Sequence, residues 1–109
     1  MNLLNKIEHQ KLDNIQLLIY FLGQSGYVLK IKEQIIYIDP YLTDYIENPS
    51  GVNDKIMYRA FPPPIKPEEI TKCDAIICTH SHFDHMDPWT INKINTDFRL
   101  FTSIGAYQK

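Results

Sequence analysis

The sequence predicts a mixed α/β domain of the α+β type, with a mixed sheet and flanking helices. Two observations lead to this prediction. Three apolar segments near the start of the chain are separated only by short connections, which favours an antiparallel meander. The later part of the chain has the order strand, loop, helix and strand, which is typical of a right-handed crossover between parallel neighbours.

The first three strands are predicted at residues 15–23, 27–32 and 34–40. The first is rich in β-forming residues, and the sequence "GQSG" predicts the turn that follows it. The second alternates apolar and polar residues, as expected for a half-buried strand. Pro40 ends the third strand because it cannot donate to a strand ladder.

Three short helical segments are predicted outside these strands. Residues 3–12 have the spacing of a short amphipathic helix, and residues 54–60 are expected to form a helical turn. Residues 67–70, "PEEI", place a proline and two acids where the first turn of a helix favours them.

The fourth strand is predicted at residues 74–80. It is apolar on both faces, so it should lie in the centre of the sheet. Asp87 followed by Pro88 predicts a helix N-cap and a first-turn proline, with the helix over residues 89–95. A fifth strand is predicted at residues 98–104.

Composition excludes several classes of protein. The chain has 109 residues and a net charge of −2, from 11 basic and 13 acidic residues that are well mixed, so we expect no nucleic-acid partner. It has no apolar run of the length that spans a membrane, and its first residues lack the apolar core and cleavage site of a secretion signal, so we expect neither a membrane segment nor a signal peptide. Its two cysteines, Cys73 and Cys78, lack a close-spaced pair pattern, so we expect packing residues in a cytoplasmic protein.

The most informative segment is "IICTHSHFDHMDPWT", residues 76–90, which holds three of the four histidines. It lies where a buried strand is predicted to end and a helix to begin, the edge at which α/β sheets build their sites. Imidazole and carboxylate groups together suit Zn²⁺, Mn²⁺ or iron. The alternative is a solvated polar turn. The fourth histidine, His9, is expected to be a surface residue.

The motif "THSHFDH" fits the His-x-His-x-Asp-His signature of the metallo-β-lactamase superfamily, which this chain therefore resembles. The segments "FLGQSGYVLKI", "IYIDPYL", "PPPIKPEEI" and "CDAIICTHSHFDHMDP" resemble the branch that contains L-ascorbate-6-phosphate lactonase and related metal-dependent hydrolases. The resemblance starts near Tyr20. It implies an αββα sandwich of two facing sheets, of which this chain supplies about one half.

The resemblance also implies roles for individual residues. His80 and His82 match two ligands of a first metal ion, and Asp84 and His85 match ligands of a second. Asp39 matches an acidic residue that supports the histidines through hydrogen bonds, as ligand imidazoles need a fixed orientation. A plain turn residue before proline is the other interpretation of Asp39.

The function implied is a hydrolase that uses two divalent ions, zinc or manganese. Such ions lower the pKa of a bound water enough to give hydroxide near neutral pH. Asp84 would orient this nucleophile or accept its proton. A lactone or another small ester, with or without a phosphate group, is the expected substrate. Hydrolysis of phosphodiesters and a non-catalytic metal-binding or interaction module are the alternatives, and no residue is assigned to an organic cofactor.

Family members are usually about twice as long and take further metal ligands from their later sequence. After His85 this chain has no histidine, and its only later acids are Asp87 and Asp97. Residues 1–109 are therefore expected to be the N-terminal half of a hydrolase domain. We expect a partner in a second copy or in a C-terminal half, with weak metal affinity and little activity for the chain alone.

Overall fold

The computed structural model describes residues 2–11, 16–45 and 62–107. Its strands form one five-stranded sheet in the order β1-β2-β3-β4-β5. The strands are β1 (Leu17–Gly23), β2 (Gly26–Ile31), β3 (Gln34–Ile38), β4 (Ala75–Cys78) and β5 (Arg99–Thr102). The pairs β1–β2 and β2–β3 are antiparallel, whereas β3–β4 and β4–β5 are parallel. The predicted meander and the parallel pairing of β4 with β5 are confirmed. β4 is an interior strand, as its two apolar faces indicated, but the centre of the sheet is β3.

Three α-helices are present in the described part of the chain: α1 (Leu3–His9), α2 (Pro88–Lys93) and α3 (Ile104–Tyr107). Residues Pro67–Glu69 form a single 3₁₀ turn where "PEEI" predicted a short helix. The predicted helical turn at residues 54–60 lies outside the described residues. His9 is exposed at the end of α1, as expected.

Four strands end earlier than their sequence patterns predict: β2 by one residue, and β3, β4 and β5 by two residues each. β3 stops at Ile38 because Asp39, with a φ of 47°, leaves the extended conformation. β5 stops at Thr102, the residue opposite Cys78, because β4 ends at Cys78 and no ladder continues beyond it. Ile104 then starts α3, which the prediction of a strand over residues 98–104 missed.

One face of the sheet carries the core. Val28, Tyr37 and Ile76 are fully buried there, and each is a cross-strand neighbour of the next. Residues outside the sheet complete the same cluster, namely Leu4 and Ile7 of α1, Ile65, Ile70 and Ile94. α1 and the segments that carry Ile65, Ile70 and Ile94 therefore cover this face. We call it the covered face.

Lys30 lies on the covered face and is 1% exposed. Its ammonium Nζ donates to the carbonyl oxygen of Ile7 at 2.8 Å, near the C-terminus of α1. That end of a helix has unpaired carbonyls and a partial negative charge, so it stabilises a buried cation. The neighbouring Glu8 accepts from the backbone N–H groups of Thr71 and Lys72 at 3.4 and 3.2 Å. These bonds hold α1 on the sheet.

The opposite face of the sheet is apolar and exposed. Six of its large side chains are between 40% and 60% exposed: Leu17, Ile19, Phe21, Tyr27, Ile31 and Phe101. The register puts them on the same side, since Leu17 pairs with Ile31 and Phe21 with Tyr27. We call this surface the open face. One sheet with helices on one side is compatible with a fragment of an α/β sandwich, and the described residues include no second sheet.

The two cysteines are packing residues, as predicted. Cys73 and Cys78 are buried and form no disulfide. Burial raises the pKa of Cys73 to about 12 and that of Cys78 to about 11, so both thiols are protonated at neutral pH. No helix among the described residues is long and apolar enough to cross a bilayer.

The open face leads to the first prediction: the 109-residue chain alone should self-associate, because monomers rarely expose an apolar surface of this kind. Ile19→Lys on the open face should raise the protein concentration at which half of the chains are associated by about tenfold or more. Light scattering over a dilution series measures this shift.

Ile104→Lys is the matched control, because Ile104 is 80% exposed but lies in α3 rather than on a strand. It should leave association unchanged. A wild-type chain that stays monomeric at all concentrations and unfolds cooperatively would show that the open face needs no cover.

Candidate metal centre

Asp39 directly follows β3 and occupies the centre of the predicted site. It is 4% exposed, and its backbone N–H donates to the carbonyl oxygen of Ile77 at 2.8 Å. Its positive φ turns the chain sharply at the carboxyl end of the strand. Asp is one of the few residues other than glycine that adopt a φ in this region. The turn places the carboxylate beside the end of β4, the parallel neighbour of β3.

The Asp39 carboxylate accepts three hydrogen bonds. Thr79 donates its backbone N–H to Oδ1 at 2.7 Å and its hydroxyl to Oδ2 at 2.8 Å. His85 lies with Nδ1 2.8 Å from the same Oδ2. A carboxylate accepts only, so neutral His85 carries its proton on Nδ1 and keeps a free lone pair on Nε2. This is the arrangement that a metal-binding imidazole needs.

Thr79 extends the same network to a second histidine. Its Oγ1 lies 2.9 Å from Nδ1 of His80. Because the only hydroxyl proton of Thr79 is directed to Asp39, Oγ1 accepts from His80 Nδ1–H, and Nε2 of His80 keeps its lone pair. One carboxylate therefore sets the tautomers of both histidines, directly at His85 and through Thr79 at His80. Sequence reasoning did not identify Thr79, since a threonine beside a histidine carries no signal of its own.

The four predicted ligands lie close together in the histidine loop, residues 79–87. The ring centroids of His80 and His82 are 4.6 Å apart, and those of His80 and His85 are 4.0 Å apart. Asp84 Oδ2 lies 3.7 Å from His85 Nε2. Two ligand atoms on one tetrahedral zinc ion are separated by roughly 3.4 Å, so this pair fits a shared ion.

Among the described residues, no group of three or more His, Cys, Asp or Glu side chains converges on one point that could hold an ion. The arrangement provides two pairs of donors rather than a closed site, and three protein ligands are usual for a catalytic zinc. The assignment of His80, His82, Asp84 and His85 as ligands stays a prediction.

Asp87 fixes the far end of the histidine loop. It is fully buried and caps α2 by accepting from the backbone N–H of Trp89 at 3.0 Å, so the predicted N-cap is confirmed. Its Oδ2 accepts from the hydroxyls of Thr43 and Thr90, each at 2.5 Å. Thr90 Oγ1 in turn accepts from Leu42 N–H at 2.9 Å. The segment after β3 is therefore tied to both ends of the histidine loop.

Gly26, at the start of β2, lies against the backbone of Asp39. A Cβ at this position would be 3.0 Å from the carbonyl oxygen of Asp39 and 3.4 Å from Cβ of Leu22. A side chain here would therefore press on the main chain of Asp39, which would have to shift by a few tenths of an ångström.

The network leads to the second prediction. Thr79→Val should weaken zinc binding by about tenfold or more, because groups that orient a metal-bound histidine typically contribute this much. Asp39→Asn should weaken it further, since it affects His80 and His85 together. A zinc titration against a chromophoric chelator measures the affinity, and nitrogen NMR of the imidazoles measures the tautomers.

Thr102→Val is the control for this prediction. The hydroxyl of Thr102 is buried and has no hydrogen-bond partner in the described structure, so its removal should not change zinc affinity. Equal zinc affinity and unchanged His80 tautomer in Thr79→Val would contradict the role given to Thr79.

Comparison with known proteins agrees with the site. Residues 18–108 match the family described as the beta-lactamase superfamily domain, as the histidine motif predicted. A curated protein from Aeropyrum pernix, named "UPF0173 metal-dependent hydrolase", is 35% identical over 66 residues. The alignment covers 61% of this chain and 21% of that protein, so the matched part of the chain spans about a fifth of its relative. The family match at residues 18–108 covers most of this chain, so the chain belongs to the beta-lactamase superfamily domain family.

Proposed function

We propose that this chain carries part of the active site of a metal-dependent hydrolase. The observation that supports this most directly is the hydrogen-bond network of Asp39, which leaves Nε2 free on both His80 and His85. A solvated polar turn has no need for a buried carboxylate that orients two imidazoles. The relative from Aeropyrum pernix, which its name describes as a metal-dependent hydrolase, supports the same reaction class.

The donor set suits a divalent ion, and we propose zinc or manganese, with two ions in the complete site. His80 and His82 would hold the first ion, and Asp84 and His85 the second. An ion bound there would activate a water molecule and polarise the bond to be cleaved. The side chain of Asp84 is 29% exposed, so its carboxylate is within reach of solvent to orient the attacking water or accept its proton. Asp39 is too enclosed to contact substrate and serves to position His85 and Thr79.

The substrate we propose is a lactone or another small ester, with or without a phosphate group. Support comes from the resemblance of "IYIDPYL" and "CDAIICTHSHFDHMDP" to the branch that contains L-ascorbate-6-phosphate lactonase. We also propose a cytoplasmic location, since both cysteines are unpaired thiols.

The open face suggests how the site is completed. We propose that a second sheet, from a C-terminal half or a second copy of the chain, packs on the open face to give the αββα sandwich. Two sheets packed face to face bury alternate side chains of both, which would cover the exposed residues of β1, β2 and β5. The same second layer would supply the ligands that the pairs in the histidine loop lack.

One observation favours a second candidate, a non-catalytic metal-binding module. The absence of three converging ligands in the described part of the chain is what such a module would show. Metal content and turnover separate the two candidates, because a module binds metal without hydrolysing any substrate.

The third prediction is that a full-length version of the protein hydrolyses lactones. His82→Ala should lower kcat/KM by more than about 100-fold, because losing a metal ligand should cost at least as much activity as losing a group that hydrogen-bonds to a ligand. Elemental analysis of the same variant should show lost metal. His9→Ala is the control, since His9 is exposed on α1 and outside the loop.

Panels of lactones and phosphodiesters are assayed in parallel. Activity on phosphodiesters alone would replace the lactonase assignment. Stoichiometric metal without turnover on either panel would favour the module, and unchanged metal content in His82→Ala would remove His82 from the site.

A further inference from the structure

A pocket of about 400 Å³ lies between the histidine loop, α2 and β5. This volume is at the lower end of the range for small-molecule sites. Five apolar side chains form most of its wall: Phe83, Met86, Pro88, Ile91 and Leu100. Ser81 and Asn92 add the polar part of the lining. No Lys or Arg of the described structure lines the pocket, so it offers no cation to a phosphate group.

The pocket and the candidate ligands belong to the same loop. Ser81 lies between His80 and His82, and Phe83 lies between His82 and Asp84. Consecutive Cα atoms are about 3.8 Å apart, so wall and ligands are one residue step from each other. A molecule that fills the pocket therefore contacts the same loop that carries the candidate ligands.

The pocket wall is held in place without a ligand. Phe83 packs edge-on against Tyr45 with ring centroids 4.8 Å apart, and Tyr45 packs in the same way against Trp89 of α2 at 4.9 Å. Such contacts stabilise a fixed ring orientation. Phe83 nevertheless stays 51% exposed and Leu100 43% exposed, so an apolar surface remains available at the pocket.

We infer that this pocket binds an uncharged alkyl or acyl chain of the substrate, and that the favoured substrates are lactones or esters with an apolar chain rather than phosphorylated ones. This inference rests on the proposed function for the reaction itself, but the binding of the chain does not need metal. The apolar wall provides the affinity, and the described lining has no cationic side chain to pair with a phosphate placed in the pocket.

The test uses the metal-free protein and the probes n-butanol, n-hexanol and n-octanol. Binding is followed by NMR of labelled methionine methyl groups, with Met86 as the reporter inside the pocket. Each added methylene should tighten binding by about fourfold, as expected for transfer of a methylene from water to an apolar site. Intermolecular contacts should appear between the alkyl chain and the methyl groups of Met86 and Ile91.

The matched variants lie side by side on β5. Leu100→Asn should weaken n-octanol binding by about tenfold or more, since Leu100 faces the pocket on the covered side of the sheet. Phe101→Asn should not, because Phe101 is similarly exposed but lies on the open face. Phe83→Ala provides a second variant at an exposed position, in case Leu100→Asn disturbs folding.

Three results would overturn the inference. One is equal affinity for all three alcohols, and another is an equal loss in Leu100→Asn and Phe101→Asn. The third is no binding in a full-length version because another segment of the protein fills the pocket. Hydrolysis of lactones without any dependence of KM on chain length would overturn the assignment of the pocket and leave the proposed function standing. Alcohol binding as expected, with no hydrolysis, would support the pocket and overturn the proposed function.

Discussion

The carboxylate of Asp39 is the group on which the described part of the site depends. A buried carboxylate is costly unless its lone pairs accept hydrogen bonds, and here three donors converge on it. Two of them come from Thr79 at the end of β4 and one from His85, beyond the turn of the histidine loop. The parallel pairing of β3 and β4 is what makes this possible, because parallel strands end at the same edge of the sheet. Sheet topology and imidazole orientation are thus linked by one side chain.

The two faces of the sheet are stabilised in different ways. On the covered face, the chain supplies its own cover, and even the ammonium of Lys30 is satisfied by the end of α1. On the open face, the chain supplies apolar side chains and no cover among the described residues. The histidine loop lies at the carboxyl edge between these two surfaces. A site at such an edge can take its metal ligands from one layer and its substrate contacts from another. The candidate ligands and the surface that a second layer could cover therefore lie next to each other.

The strands can be predicted well from the sequence because the alternation of residue types that indicates a strand is visible within each short segment. The face that each strand buries is not local. In β2 the apolar set Tyr27, Leu29 and Ile31 alternates with Lys30, yet Lys30 is buried and Tyr27 is exposed. Segments far away in the sequence determine this: α1, which satisfies Lys30, and the later residues Ile65, Ile70 and Ile94, which pack on the same face. The motif likewise predicts which histidines cluster, but Thr79 becomes visible only when the three-dimensional contact with Asp39 is known.

Gly26 shows how a residue can matter to a site without contacting any of its predicted metal ligands. It belongs to the first hairpin, yet its missing side chain leaves room for the main chain of Asp39. A mutagenesis library that varies only the histidine loop would miss this position, where an added Cβ would press on the carbonyl oxygen of Asp39 without touching a predicted ligand. Gly105 in α3 offers the contrast, since nothing lies within 4 Å of a Cβ built on it. An added side chain at Gly26 should therefore disturb the site more than one at Gly105, although both positions lie outside the histidine motif.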